Sequence, residues 1–236
     1  MPILTINDFL ISTTSGAIVG FTDAGKQKLL NSGGIIDTFP PEAIAIGNYA
    51  FAKAGITAIK DWGRITSIGN GAFADNQITE IPDSWGKVTQ IGTWAFSSNP
   101  ISRLPSDWGY ITTLSNGVFF DNLIDRLPET WGIITVIGDS AFGHNKINIV
   151  PGNWGVVETI GNNALSFNNI SSLPDSWWLV REIGDSALSG NLFASLPENW
   201  DMVEFVGENA FVGNNIPAGS IPLLPQDMVV AEPLAA

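Results

Sequence analysis

The hydrophobic and polar positions of this chain return as one whole block every 23 residues. From Ile68 the block reads Ile68-Gly69, Ala72-Phe73, Asn76, Ile78, Ile81-Pro82, Trp85-Gly86 and Val88, and the same residue types follow 23 positions later. Blocks open at Ile46, Ile68, Ile91, Leu114, Ile137, Ile160, Ile183 and Val206; in the Asn place and the spacing only the first departs, with Ala54 for Asn and one residue missing before Trp62. Self-similarity at this period predicts a solenoid of eight stacked coils of about 23 residues, joined by short parallel strands. Each coil then buries its apolar side chains only against the coils beside it. The expected core ladders are Ile68/Ile91/Leu114/Ile137, Phe73/Phe96/Phe119/Phe142, Ile78/Ile101/Ile124/Ile147 and Ile81/Leu104/Leu127/Val150. Ala72, Ala95, Ala141, Ala164, Ala187 and Ala210 fall where a larger side chain would not fit.

Asparagine marks the period at Asn76, Asn99, Asn122, Asn145, Asn168, Asn191 and Asn214. A chain that turns a corner leaves backbone groups facing inward, and these need partners. The Asn positions therefore predict a structural ladder, each amide pairing with its own coil and stacking on the Asn of the next.

Residues 1–45 lack the repeat and read as an N-terminal cap, with a hairpin around Ser15-Gly16 and a short helix from Thr22 or Asp23 to Leu30 ended by Gly33-Gly34. Residues 46–216 form the solenoid. Beyond Ile216 the pattern dissolves, and 217–236, with Pro225 and Pro233, reads as a C-terminal cap or the cut start of a longer continuation.

Charge changes the picture of partners. The chain carries 10 basic and 23 acidic residues, a formal net charge of −13. Affinity for phosphate needs clustered Lys and Arg, so neither nucleic acid nor an anionic membrane is an expected partner. No apolar run reaches the roughly 18 residues that would read as a membrane span. The opening MPILTINDF lacks the positive region and apolar run of a signal peptide. With no Cys in the chain, disulfides, thiolate metal sites and a Cys nucleophile are out.

Written as I-G-x-x-A-F-x-x-N-x-I-x-x-L-P-x-x-W-G-x-V-T-x, the unit resembles the BspA-like leucine-rich repeats of bacterial surface proteins. Ile68-Gly69/Ala72-Phe73/Asn76, Ile91-Gly92/Ala95-Phe96/Asn99 and their successors carry the likeness from residue 46 to about 216. The segment GFTDAGKQKLL also resembles the capping region that precedes such repeats. Two departures stand out: a shorter I-x-x-L-P strand segment, and Trp where the family has a small aliphatic residue. The resemblance implies an α/β-type leucine-rich repeat superhelix in an extracellular, secreted or wall-attached protein that adheres to host or matrix macromolecules.

Several positions could carry recognition. Trp85, Trp108, Trp131, Trp154, Trp177 and Trp200 stand in register and read as core, with Gly86, Gly109, Gly132 and Gly155 making room beside them. Trp94 and Trp178 break the pattern and read as exposed aromatic contacts. The residue before each repeating Val or Ile is Lys87, Tyr110, Ile133, Val156, Leu179 and Met202. In an extended segment neighbours alternate in direction, so the last five should form a continuous apolar strip suited to a protein partner or to self-association. Around I-x-x-L-P the variable residues Thr79, Glu80, Ser102, Arg103, Asp125, Arg126 and Asn148 offer a second face.

Chemistry for catalysis is sparse. His144 stands alone, and the one-coil carboxylate pairs Asp175/Glu198 and Asp185/Glu208 follow from the repeat itself and read as solvated turn acids. No cofactor or metal is implied, and no loop has the ligand density of a Ca²⁺ site. The expected function is a non-catalytic binding or adhesion module for a protein, or for a glycan held by exposed aromatics. The alternatives are a rigid structural spacer and a lectin-like solenoid.

Overall fold

The computed structural model describes residues 4–106, 108–152, 154–174, 179–196 and 202–217. The chain begins with a 3-10 turn at Ile6–Asp8, then strand β1 (Phe9–Ile11) paired antiparallel with β2 (Ile18–Phe21). Helix α1 (Asp23–Asn31) follows, its first turn capped by the Thr22 hydroxyl, which accepts from the Gly25 N–H at 3.1 Å. Strand β3 (Ile35–Thr38) leads into the solenoid. Asp8 ties this cap together. Its buried carboxylate accepts from Lys28 Nζ at 2.8 Å and from the Thr5 N–H and hydroxyl at 2.6 and 2.9 Å. Burial acts to raise its pKa, but the Lys28 ammonium and the Thr5 donors outweigh burial and leave it below the ordinary carboxylate value.

Eight two-residue strands then open the coils: β4 (Ala45–Ile46), β6 (Ser67–Ile68), β7 (Gln90–Ile91), β8 (Thr113–Leu114), β9 (Val136–Ile137), β10 (Thr159–Ile160), β11 (Glu182–Ile183) and β12 (Phe205–Val206). Strand β5 (Ala58–Asp61), on the opposite flank of the first coil, pairs parallel with β3. The expected leucine-rich repeat solenoid is thus the observed fold, with about seven full turns between the eight strand openings.

Each opening strand turns its Ile, Leu or Val inward and its neighbour outward, as strand alternation requires. The glycine after the strand has two reasons to be there. Its N–H donates to the strand carbonyl one coil back, as in Gly161 to Ile137 O at 2.7 Å and Gly138 to Leu114 O at 2.8 Å. A Cβ at Gly161 or Gly184 would stand 2.6 Å from the Asx side chain and 2.6–2.8 Å from backbone of the preceding coil.

The core is two aromatic columns inside the aliphatic ladders. Phe73, Phe96, Phe119 and Phe142 stack nearly parallel with centroids 5.3–5.7 Å apart. Beside them Trp85, Trp108, Trp131 and Trp154 are all buried, at 0–1% exposure. Trp177 and Trp200 lie outside the described residues. The glycines that follow these Trp residues have a different cause from the one expected: Gly109, Gly132 and Gly155 have φ of 57–60°, a left-handed conformation that glycine adopts without strain.

The strand ladder is not continuous. It consists of two five-stranded sheets, β1-β2-β4-β6-β7 and β8-β9-β10-β11-β12, with no pairing between β7 and β8. At this third-to-fourth coil junction the unit has Ser115 where the others have Gly. The Ser115 hydroxyl, instead of a backbone N–H, donates to Ile91 O. The extra Cβ holds the fourth coil away from the third, and a backbone bond equivalent to Thr135 N–H to Thr112 O (2.8 Å) is missing there among the described residues.

Candidate binding surface

One corner of every coil is held by the repeated Asn. Asn76 through Asn191 are buried and Asn214 is half-buried. Asn122 shows the pattern: Nδ2 donates to Phe96 O one coil back (3.0 Å) and to Phe120 O of its own coil (3.1 Å), while Oδ1 accepts from the Ile101 N–H (3.2 Å). The amides therefore bridge to backbone of the preceding coil. The expected Asn-on-Asn pairing is corrected: the neighbouring coil's backbone, whose inward groups would otherwise be orphaned, takes the place of a second amide.

A second side-chain ladder on the surface went unrecognised in the sequence. Two residues after the strand Ile or Leu stands Asn48, Asn70, Asn116, Asp139, Asn162 or Asp185 in six coils, and its Oδ1 accepts the backbone N–H of the equivalent residue one coil on, at 2.7–3.0 Å. Asp185 thereby binds the Glu208 N–H at 2.8 Å, so this carboxylate serves the ladder. Asp175 and Glu198 lie outside the described residues. The signal was the repeated Asx two residues after the strand Ile. Thr93 breaks it, at the same junction as Ser115.

Two further columns flank the alanine–phenylalanine step, one directly before the alanine and one two residues after the phenylalanine. In each coil two residues take left-handed backbone, for example Trp94 (φ 58°), Asp121 (φ 55°), His144 (φ 56°) and Phe167 (φ 52°). This throws their side chains outward from the corner. Trp94 is 41% and Phe167 54% exposed. With Phe120 and His144 they make a row of touching rings over coils 3 to 6: Trp94–Phe120 at 5.3 Å, Phe120–His144 at 5.1 Å and His144–Phe167 at 4.6 Å. The Trp94 ring lies over Gly117 and the Phe167 ring over Gly190, each filling the space a Cβ would need. Trp94 stood out in the sequence, but Phe120, His144 and Phe167 occupy three different units at two different offsets, and only the coil geometry aligns them. Trp178 lies outside the described residues.

The apolar strip lies at another place on the coil. Tyr110 is 71% exposed, Ile133 47%, Val156 37%, Leu179 38% and Met202 36%, while Ile111, Ile134, Val157, Val180 and Val203 behind them are buried. The backbone there is a turn and not an extended segment. The residues face outward because they sit at the turn, directly after the left-handed Gly in coils 3 to 5.

On the opposite flank Thr79, Glu80, Ser102, Arg103, Asp125, Arg126 and Asn148 are exposed. Isolated parallel bridges join Glu80 to Arg103 and Arg126 to Ile149. Arg103 Nη1 lies 3.5 Å from Glu80 and Arg126 Nε 3.5 Å from Asp125. Asp83 accepts from the Ser106 N–H at 2.7 Å and hydroxyl at 3.0 Å, and these two bonds hold its pKa below the ordinary value. Among the described residues no three His, Asp or Glu side chains gather as a metal site, and His144 is engaged in the ring row.

This fold, with its outward-facing columns, is that of a leucine-rich repeat solenoid, a class that is typically non-catalytic. Residues 37–148 match, in six copies, the model of the BspA type leucine rich repeat region, the repeat type that the 23-residue unit resembles. The matched span ends in the fifth coil, while the strand openings and the Asn corner continue to Val206 and Asn214. No curated protein matches the chain. BspA-type repeats are generally found in extracellular or surface proteins, and no helix among the described residues is long and apolar enough to cross a membrane.

Proposed function

We propose that this protein is a non-catalytic adhesion module of a bacterial cell-surface protein, binding a host or matrix protein through the strip Tyr110, Ile133, Val156, Leu179 and Met202. The observation that carries the reading is the strip itself: five exposed apolar residues at one position of five consecutive coils. Contiguous apolar surface on a rigid scaffold is what partner sites commonly use. An array of host and matrix proteins probed with the wild type and with Ile133→Glu/Leu179→Glu tests it. Signals on proteins that fall at least tenfold in the variant support the reading, as does loss of a self-associated state. Silence on every protein, with unchanged oligomeric state, leaves the chain a rigid spacer.

The ring row favours a second reading, a glycan partner. Aromatic faces receive the apolar faces of sugars, and Ser98, Asp121 and Asn163 beside the row supply hydrogen-bonding groups. Glycan signals that vanish in Trp94→Ala/Phe167→Ala but survive in the strip variant would establish it over the first.

A further inference from the structure

The Asn corner is also a backbone ladder, and its first rung is unfilled. At every junction three N–H groups of one coil donate to three carbonyls of the next. Tyr49, Phe51 and Lys53 donate to Asn70, Ala72 and Ala74 at 2.8–3.0 Å, and the series runs on unbroken to Ser186, Leu188 and Gly190 on Glu208, Ala210 and Val212 at 2.7–2.9 Å. The first coil has no coil before it. Its carbonyls at the same places, Asn48, Ala50 and Ala52, accept no hydrogen bond among the described residues.

The cap closes this end on either side of the corner. On one side the Gly47 N–H donates to Ile18 O of β2 (2.7 Å), and on the other the Thr57 N–H donates to Gly34 O beside the β3–β5 pair (2.8 Å). Between those two ties a cleft of about 450 Å³ lies between cap and coil, a volume in the range of ligand sites. Ala50, Ala52 and Lys53 form its coil wall. Leu10 and Val19 of the hairpin and Leu30 of α1, all exposed, form the cap wall with Lys26. Gly20 also lines it, and a Cβ there would stand 3.4 Å from Ala50 O, so the missing side chain leaves room in front of that acceptor.

The charge of this cleft runs against that of the chain. Although acidic residues outnumber basic ones 23 to 10, the lining holds two lysines and no carboxylate. Lys26 has one ionic contact, to Asp23 at 3.5 Å, and that carboxylate is fully exposed. Such a pair contributes little. Lys53, thrown outward by its left-handed backbone (φ 57°), pairs with no carboxylate among the described residues, Asp75 one coil on included.

We propose that this cleft binds the C-terminus of a partner polypeptide through its last few residues and its free carboxylate. One ligand class answers all three features of the site. In an extended chain, N–H groups two residues apart lie on the same edge, and these donate to Ala50 O and Ala52 O as the corner's own donors do in later coils. The terminal carboxylate accepts from the Lys26 and Lys53 ammonium groups, and apolar side chains cover Leu10, Val19 and Leu30. Capture of a C-terminal carboxylate is a recurring recognition mode. A fatty acid would bring no donor to the carbonyls, and an amine would meet the two lysines. The site shares no residue with the apolar strip or the ring row and does not depend on either.

Fluorescence anisotropy with an N-terminally labelled peptide that ends in alanine, valine and leucine with a free carboxylate tests the proposal on the full chain. Saturable binding is expected, about tenfold weaker for the C-terminal amide and about tenfold weaker in Lys26→Gln/Lys53→Gln, the size of a lost charge-assisted bond. Both lysines are exposed, so this variant is expected to unfold at the wild-type urea concentration. Methylation of the peptide nitrogens of the last and third-last residues is expected to weaken binding as much. Unlabelled peptide should displace the probe and decanoate should not. Ile133→Glu/Leu179→Glu is expected to bind as the wild type does. No saturable binding up to millimolar protein would overturn the proposal. So would equal binding of the amide or the methylated peptide, undiminished binding by the lysine variant, displacement by decanoate, or loss of binding in the strip variant.

Discussion

The Asn corner and the strand flank meet the same junction, between coils 3 and 4, and only one of them survives it. At the corner, Trp94, Phe96 and Ser98 N–H groups still donate to Asn116, Val118 and Phe120 carbonyls at 2.8–3.0 Å, and Asn122 keeps its bonds to Phe96 and Ile101. On the strand flank the pairing is gone. The corner depends on a buried amide that makes three bonds at once, and every unit from Asn76 onward supplies one. The flank depends on a missing Cβ and an Asx acceptor, and here Ser115 and Thr93 remove both. At this junction the strand pairing therefore lapses while the corner holds. Side chains that satisfy several buried groups tolerate neighbouring error better than a contact that works only because an atom is absent.

The contrast can be broken most severely from the corner. Asn122→Ala orphans the buried Ile101 N–H, at about 1–3 kcal/mol, and removes one of two donors from the Phe96 and Phe120 carbonyls, which keep Asn99 Nδ2 and the Ser98 N–H. We expect about 3 kcal/mol of destabilisation by urea unfolding, with loss of amide protection spreading from coil 4. Copying the seam into a sound junction should cost less. Gly161→Ser places a Cβ against Asp139 and Gly138, an overpacking penalty of about 2 kcal/mol, and is expected to open β9–β10 while the Asn168 corner at that junction stays protected. A loss as large as that of Asn122→Ala would mean that the two supports are equivalent.

Repair should give a smaller effect of opposite sign. Thr93→Asn/Ser115→Gly adds about two surface hydrogen bonds and is expected to stabilise by about 1 kcal/mol. Least of all, acid separates both supports from the charged ties. Asp8 and Asp83 have pKa values below the ordinary 3.8. Their stabilisation is thus complete above the unfolded value and is lost as pH falls through the lower folded one. Amide exchange at pH 3 and below should quicken first in the cap, around Thr5, and at Ser106, while the Ile101 and Ile124 amides on the Asn corner remain protected.

Much of this was legible in the chain and some of it could not be. The period, the Ile, Phe and Trp columns and the inward Asn come from residue types that burial demands, so the sequence displays them directly. The outward face of Ile133 was right and its reason was not, because a turn and a strand can expose the same residue. Thr93 and Ser115 were visible as departures from the unit, but their effect depends on a clash with the preceding coil, which is a distance and not a residue type. The ring row was hidden for another reason. Left-handed backbone is normally flagged by Gly, Asn, Asp or His, whereas here Trp94 and Phe167 also adopt it, held in place by bonds such as the Phe167 N–H to Ser189 O at 2.9 Å.

The third-to-fourth junction also sets how the molecule answers to force. Stacked coils pulled from their ends act as springs in series, and extension gathers in the softest. Under tension the solenoid would thus lengthen first at Ile91 and Leu114, parting into a block of three coils and a block beginning at the fourth before either one unravels.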